Sequence, residues 1–213
     1  MNCGGPSLSI EPDQKLAIAA TNFLRHQPIN IEPRRIWPGG LAEPSGRIPD
    51  DLRLQIGRSL SELGDGGWSD LVSHGKYQEG VFADELVDAS VRLIQEWAPD
   101  PRPTWITFVP SVTRPTLVSG FADRLEERLG WPVRAVIRKV SENRPQKEME
   151  NSAQQYLNVA DSFRIEGAID PGPVLLIDDL FDSRWTMTVI GVALREAGSG
   201  PVFPFALASA VGT

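Results

Sequence analysis

Cysteine is nearly absent from this sequence, because Cys3 is the single one among 213 residues. A disulfide framework requires paired cysteines, so small disulfide-stabilised secreted proteins are excluded, and a reducing, cytoplasmic location is expected. Histidine is almost as scarce, with two residues. No group of His, Cys and Asp has the spacing of a metal site, so we predict no metal site built by protein side chains.

Long apolar runs and excess positive charge are also lacking. No run of about eighteen apolar residues is present, which excludes the usual signature of a transmembrane helix, and no membrane partner is expected. Lys and Arg number 21 against 28 Asp and Glu, for a net charge of −7. Because an acidic chain is not attracted to nucleic acid as a whole, any DNA contact must use a local basic patch. Hydrophobic residues make up 41% of the chain, enough for an α/β core with an appendage or for two small domains.

Residues 174–186, with the sequence VLLIDDLFDSRWT, are the most informative part of the chain. The first four are apolar and predict a buried parallel strand. Residues 187–197 predict a helix that ends at Gly198. In α/β sheets, phosphorylated ligands bind where a strand ends and a helix begins. We therefore predict a phosphate site in the polar loop between this strand and this helix.

The polar residues of this loop suit a ribose 5-phosphate. The adjacent carboxylates of Asp178 and Asp179 can accept hydrogen bonds from a cis-diol, and a third carboxylate, Asp182, follows. The hydroxyls of Ser183 and Thr186, with the loop amides, can hold a phosphate. The alternative is an acidic turn that only caps the next helix.

These residues resemble the phosphoribosyl-pyrophosphate (PRPP) motif of type I phosphoribosyltransferases, a hydrophobic strand followed by Asp-Asp-x-x-Asp-Thr-Gly-x-Thr. Ser183 replaces a threonine conservatively, whereas Arg184 replaces a glycine that lets the backbone wrap around the phosphate. The resemblance implies a type I phosphoribosyltransferase-like fold and, for an active enzyme, PRPP with magnesium. The matching positions are Asp178, Asp179, Asp182 and Thr186, and the three aspartates would be the catalytic residues.

The preceding part of the chain resembles the same family. Residues 105–109 and 133–137 predict strands, and a helical apolar spacing follows the first of them up to Gly130. The family places a pyrophosphate-binding loop after its first strand and a hood loop later. This implies Ser111 and Arg114 as anion contacts and Lys147 as a hood residue, although solvated surface positions remain the alternative for both cations. The likeness is closest to the ComF-like branch, through residues 138–140, 145–147 and 154–159.

Residues 149–155, 182–188 and 197–208 resemble the phosphoribosyltransferase-type C-terminal extension of certain bacterial RecQ-family DNA helicases. Residues 2–5 resemble the tail of the zinc module of that family, with Cys3 as its last ligand. The resemblance implies an upstream helicase core in the same polypeptide and a role in DNA repair. The sequence contains no Gly-x-x-x-x-Gly-Lys-Ser/Thr motif, so these residues do not include the helicase motor.

Three regions are predicted along the chain. They are a linker at residues 1–13, an N-terminal α+β subdomain at 14–80 and a phosphoribosyltransferase-like domain at 81–213. The last is predicted as α/β, with a mainly parallel sheet flanked by helices. Its first helix should cover residues 82–97, which have a strong helical apolar stripe.

The N-terminal subdomain is predicted from weaker patterns. Residues 29–40 are interrupted by prolines and predict two short edge strands. Residues 15–25 and 51–63 have apolar residues at helical spacing and predict helices. Residues 73–77 predict a polar loop.

Three arginines of this subdomain, Arg34, Arg35 and Arg47, leave two interpretations open. Together with Trp37 they could grip a phosphate backbone and stack a base. Alternatively, Trp37 fills a hydrophobic seam and the arginines pair with Glu32 and Glu43. Lys76 and Tyr77 leave the same two interpretations open, and a function is not favoured for either residue.

Two functions therefore compete. In the first, the domain is an active phosphoribosyltransferase that uses PRPP and magnesium. In the second, which the sequence favours, it is an auxiliary module of a RecQ-type helicase that binds phosphate groups of DNA (single-stranded or with phosphorylated ends) or of a nucleotide. Arg184 would add a bidentate phosphate donor and Trp185 a stacking face, in support of the second function. The pair of Asp178 and Asp179 supports the first, because carboxylates repel a DNA backbone.

Overall fold

Five strands form one sheet in the computed structural model, which describes Leu16 and residues 28–141 and 151–210. The strands of the described chain are β1 (Ile29–Ile31), β2 (Gly57–Glu62), β3 (Trp105–Phe108), β4 (Ile137–Lys139), β5 (Phe163–Ile165), β6 (Val174–Phe181) and β7 (Val202–Ser209). The main sheet has the order β1-β2-β7-β6-β3, and β4 and β5 form a separate antiparallel pair. β1 is antiparallel to β2 and the other three pairs are parallel. The predicted mainly parallel α/β fold is confirmed.

Helices cover both faces of this sheet. They are α1 (Ser69–His74), α2 (Asp84–Trp97), α3 (Pro115–Leu129), α4 (Ser152–Ala160) and α5 (Trp185–Glu196), and a π-helical turn, Gly75–Glu79, directly follows α1. Side chains of successive strand residues point to opposite faces. Thus Leu175 and Ile177 of β6 pack in one buried cluster with α2 and α3, whereas Val174 and Leu176 pack in the other with α4 and α5. No helix of the described residues is long and apolar enough to cross a membrane.

The helices predicted in the second half of the chain are confirmed, and their ends follow local rules. α3 begins with Pro115 at its first turn, where a missing N–H removes no helical hydrogen bond. It ends at Gly130, which takes a left-handed φ of 72°. α5 starts two residues earlier than predicted, at Trp185.

The helix predicted at residues 51–63 is wrong, because residues 57–62 form β2, which lies between β1 and β7 in the sheet. A Cβ at Gly57 would overlap the carbonyl oxygen of Pro204 in β7, so this glycine allows two strands to lie close together. The polar loop predicted at residues 73–77 is also wrong, since these residues belong to α1 and the π-helical turn.

The strand predicted at residues 133–137 is displaced. Val133 makes only an isolated bridge to Ile106, and the strand itself, β4, begins at Ile137. The first predicted edge strand is present as β1, while the second is reduced to a single bridge between Ile36 and Arg47. The predicted boundary after residue 80 stays a prediction, although β1 and β2, which precede it, share the sheet with strands that follow it.

Candidate functional site: an acidic cleft beside an anion loop

A cleft of about 310 Å³ opens where β3 leaves the sheet. The amide of Val109 donates the last bond of this ladder to the carbonyl of Ile177, at 2.8 Å, and Pro110 has no N–H with which to continue. β6 runs on to Phe181 beside β7, so its last residues have a free edge towards the cleft. We call this space the main cleft; its polar lining residues are Lys76, Ser111, Thr113, Arg114, Lys139, Asn158, Asp178, Asp179 and Thr186.

Asp178 and Asp179, the acid pair, lie at this free edge as expected for the carboxyl end of a parallel strand. Asp179 donates its backbone N–H to the Asp178 Oδ1 atom at 2.8 Å. Burial, and after it the charge of Asp179, raises the pKa of Asp178 well above the ordinary carboxyl value. Two adjoining carboxyl groups that differ in environment can serve as hydrogen-bond donor and acceptor to ligand hydroxyls.

Lys76 supplies the positive charge that the acid pair needs. Its Nζ atom lies 2.9 Å from the Asp179 Oδ2 atom, and both side chains are largely buried. The π-helical turn positions Lys76, and Gly75 permits this turn, because a Cβ at Gly75 would lie 2.7 Å from the Val81 carbonyl oxygen. The sequence did not favour a function for Lys76, yet its side chain lines the main cleft. The ion-pair partner of Lys76, Asp179, lies in a distant segment of the chain. The only local signal for this position is therefore the pair of glycines, Gly75 and Gly80, that bound the turn.

Ser111 and Arg114, predicted as anion contacts, lie on the main cleft together with the acid pair. The Ser111 Oγ atom accepts a hydrogen bond from the Arg114 backbone N–H at 3.2 Å, which orders the turn before α3. The guanidinium of Arg114 lies 5.6 Å from the centre of the Tyr77 ring. Lys139 also lines the cleft and was not predicted. Lys147, the predicted hood residue, lies outside the described residues.

We call residues 182–186 the anion loop, and four of them, Asp182, Ser183, Arg184 and Thr186, line a second cleft of about 90 Å³. This loop cleft adjoins the main cleft, because Asp178, Leu180 and Thr186 line both. Arg184 precedes the first residue of α5 and adopts a left-handed φ of 67°. Glycine adopts this conformation most readily. The arginine therefore keeps a backbone shape that suits the glycine of the PRPP motif.

The expectation that Trp185 offers a stacking face is wrong, because its side chain is fully buried. The indole Nε1–H donates to the Ser152 hydroxyl at 2.9 Å. The ring stacks on Trp37 at a centroid distance of 6.3 Å and meets the edge of Tyr156 at 5.4 Å. Trp37 thus fills a hydrophobic seam, in agreement with the second interpretation from the sequence. A phosphate contact of the Trp185 backbone N–H stays a prediction.

Within the described residues, Arg34 does not take the predicted pairing role, and its contact with a phosphate backbone stays a prediction. It forms an ion pair with neither Glu32 nor Glu43, and its guanidinium donates two hydrogen bonds to the carbonyl of Ser183 in the anion loop. The residues after β1 therefore contact the anion loop directly. Arg35 and Arg47 lie in the same stretch, where their residues are exposed.

A metal site made by side chains is not present among the described residues, since no three His, Cys, Asp or Glu residues converge. The donor set nevertheless suits magnesium that arrives with a diphosphate. Mg²⁺ commonly takes one or two carboxylates and completes its shell with phosphate oxygens and water. Asp178 and Asp179 are the carboxylates that could contact it.

Two solved structures of adenine phosphoribosyltransferase are similar to this chain. The one from Leishmania tarentolae has a TM-score of 0.40 and 20% identity, covering 59% of this chain and 69% of its own. The one from Leishmania donovani has a TM-score of 0.41 and 17% identity, covering 90% and 80%. No protein-family model matches the sequence, and no curated protein does. Likeness at this level leaves the function to be inferred from the residues of the cleft.

Proposed function

We propose that the cleft binds a phosphorylated ribose, with its 5-phosphate in the anion loop and its ring hydroxyls on the acid pair. The observation that carries this proposal is the adjacency of the two clefts, which share Asp178, Leu180 and Thr186. A ligand with a phosphate at one end and a diol at the other matches the hydroxyls and amides of the loop and the carboxylates next to them.

A small phosphorylated sugar or nucleotide fits these contacts better than a DNA strand does. The ring of Trp185 is buried and cannot stack on an exposed base. The acid pair and the net charge of −7 oppose a polyanion. DNA also lacks the 2′-hydroxyl that would complete a diol. These features therefore favour the alternative function, a site that binds PRPP or a similar ligand, over a DNA-binding module.

For an active enzyme the proposed reaction is phosphoribosyl transfer within a phosphoribosyltransferase-type fold. A nitrogen of the acceptor base bonds to C1′ of PRPP while the C1′–oxygen bond to the diphosphate breaks. The diphosphate leaves with that electron pair, and the acceptor nitrogen releases its proton. The acid pair can stabilise the positive charge that develops on the ribose, and Lys76 and Arg114 can stabilise the departing anion. Magnesium bound with the diphosphate supplies additional charge neutralisation.

An association with a DNA helicase is the finer part of the proposal. The segments that resemble a RecQ C-terminal extension support it, and the anion loop at residues 182–186 lies within one of them. In that setting the cleft would serve as an auxiliary nucleotide-binding module. Unwinding by the full-length protein, measured with and without PRPP, tests the idea. An unchanged unwinding rate would remove the link between the cleft and a helicase.

The binding proposal is tested by isothermal titration with ribose 5-phosphate, PRPP, a nucleoside 5′-monophosphate and a 5′-phosphorylated single-stranded oligonucleotide. We expect Ser183→Ala/Thr186→Ala to weaken the first three ligands. The matched control is Ser119→Ala/Thr104→Ala, which removes two hydroxyls that bond to backbone carbonyls away from the loop. Equal affinity in wild type and the loop variant would place the site elsewhere.

Catalysis is tested separately, by diphosphate release from PRPP over a panel of acceptor bases. Activity that depends on Asp178 would establish a transferase. Tight binding of ribose 5-phosphate without turnover on any base would instead leave a binding module. Affinity for the oligonucleotide alone would restore the DNA interpretation.

A further inference from the structure

Two arginines join the segment after β1 to the anion loop. The Arg34 Nε and Nη2 atoms donate to the Ser183 carbonyl at 3.1 and 2.6 Å, and the Arg34 guanidinium lies 4.5 Å from the centre of the Trp185 ring. In return, the Arg184 Nη1 atom donates to the Glu32 carbonyl at 3.0 Å. We call these four residues, Glu32, Arg34, Ser183 and Arg184, the arginine clasp.

The clasp fixes the orientation of one peptide group in the loop. In a planar trans peptide, the carbonyl of Ser183 and the N–H of Arg184 point in opposite directions. Because the carbonyl is held towards Arg34, this N–H must point away from Arg34. Ser183 and Arg184 both line the loop cleft, and Arg34 does not. The N–H of Arg184 is therefore directed to the side of the loop opposite Arg34.

The charges of the clasp also favour a bound anion. Among the described residues, neither Arg34 nor Arg184 forms an ion pair with a carboxylate. Burial, and after it the charge of Arg184, lowers the pKa of Arg34. Two like charges thus lie at the edge of the anion loop, and the negative charge of a phosphate on the other side of the loop would offset their repulsion.

We propose that Arg34 is a positioning residue, which holds the peptide between Ser183 and Arg184 so that the N–H of Arg184 donates to the ligand's phosphate. The proposal deepens the proposed function and rests on it, since it needs the phosphate to lie in the anion loop. Arg34 contacts the ligand only through this peptide. It therefore makes the loop a better phosphate site without belonging to the PRPP-like motif.

The experiment measures ribose 5-phosphate affinity by titration and the Arg184 amide signal by ¹H–¹⁵N NMR. We expect Arg34→Met to weaken binding about tenfold, because one charge-assisted hydrogen bond is lost. The same change should abolish the shift of the Arg184 amide signal on ligand addition. Arg34→Lys keeps the charge but not the two-bond fork, and it should lose most of the same affinity. If Arg34→Met does not fold, Arg34→Gln replaces it.

Arg195→Met is the matched control. Arg195 also donates to backbone carbonyls, those of Asp51 and Ser199, at the other end of α5. This variant should lose stability and keep its affinity. Wild-type affinity in Arg34→Met would overturn the positioning role and leave the proposed function standing. Full affinity in Arg34→Lys would also overturn the positioning role, because a charge without the two hydrogen bonds would then suffice. If the wild-type protein binds no ribose 5-phosphate, both proposals are overturned.

Discussion

Lys76 and Asp179 form an ion pair of 2.9 Å across the floor of the main cleft, with 19% and 12% of their side chains exposed. Because Asp178 lies next to Asp179, the positive charge of Lys76 helps both carboxyl groups to be buried together. The charge of Lys76 lowers the pKa of Asp178, whereas burial raises it. The site therefore depends on a residue from the first half of the chain as well as on the motif in the second half.

Lys76→Met should destabilise the protein by about 3 kcal/mol, because it leaves the Asp179 carboxylate buried without its partner. Adding Asp179→Asn should recover part of this loss, since the uncompensated charge is then removed as well. Urea denaturation of the two single variants and the double variant measures the coupling. Arg138→Met is the control: its pair with Glu166 is 68% and 53% exposed, and its loss should change stability by less than about 1 kcal/mol. Equal effects of the two changes would mean that the Lys76 pair is solvated.

The sequence predicted the parts of the site that lie close together in the chain. Asp178, Asp179 and the anion loop form one continuous segment whose strand, loop and helix follow from apolar periodicity. Ser111 and Arg114 follow a strand of the same sheet, and the carboxyl ends of parallel strands meet at one edge. These residues were therefore brought together as expected.

Lys76 and Trp185 could not be assigned in the same way, because their surroundings come from distant segments. Trp185 follows a polar stretch of the sequence as the first residue of α5, and Trp37 and Tyr156 cover its ring. Residues 57–62 have small polar side chains, Ser59 and Ser61, that are buried in a central strand. Serine at these two buried positions removes the alternating apolar pattern by which strands are recognised. The burial is possible because both hydroxyls donate to backbone carbonyls.

Gly57 tests the close contact between β2 and β7. Gly57→Ala should destabilise the protein by about 2 kcal/mol or more, because the new methyl group overlaps the backbone of Pro204. Gly120→Ala, inside α3 where no atom lies within 4 Å of the added Cβ, should stabilise by up to about 1 kcal/mol. Thermal unfolding of both variants gives the comparison. A tolerated alanine at residue 57 would contradict the observed register of β2 against β7.

The raised pKa of Asp178 predicts a dependence of stability on pH. The folded state holds this proton more tightly than the unfolded state does, so the group stabilises the fold fully at low pH. That contribution is lost as the pH rises from the ordinary carboxyl value, about 4, through the raised pKa. Asp178→Asn removes the titration and keeps an acceptor for the Asp179 amide. The free energy of unfolding of this variant should therefore rise relative to that of the wild type as the pH increases from about 4 towards the raised pKa of Asp178. A difference that stays constant over this range would contradict the assignment.

Arg184 tests the backbone of the anion loop. A left-handed conformation costs a residue other than glycine about 1 kcal/mol. Arg184→Gly removes this strain but adds flexibility to the unfolded chain and loses the bond to Glu32, so its stability should stay within about 1 kcal/mol of the wild type. Arg184→Val should be worse by about 2 kcal/mol, because a β-branched residue tolerates this φ poorly. Equal stability of the glycine and valine variants in urea denaturation would show that residue 184 is not left-handed.

Trp185 separates a structural role from a nucleic-acid contact. Its ring is fully buried against Trp37 and Tyr156, so Trp185→Ala should destabilise the protein by about 3–5 kcal/mol. Trp185→Phe should lose less, since it keeps an aromatic ring and gives up the hydrogen bond to Ser152. The control is Tyr77→Ala, in which the ring removed is 59% exposed; stability should change by only about 0.5 kcal/mol. Denaturation of the three variants and anisotropy titrations with single-stranded DNA provide the measurement. If Trp185→Ala keeps wild-type stability and loses only affinity for DNA, the ring must be accessible to a base, and the DNA-binding interpretation returns.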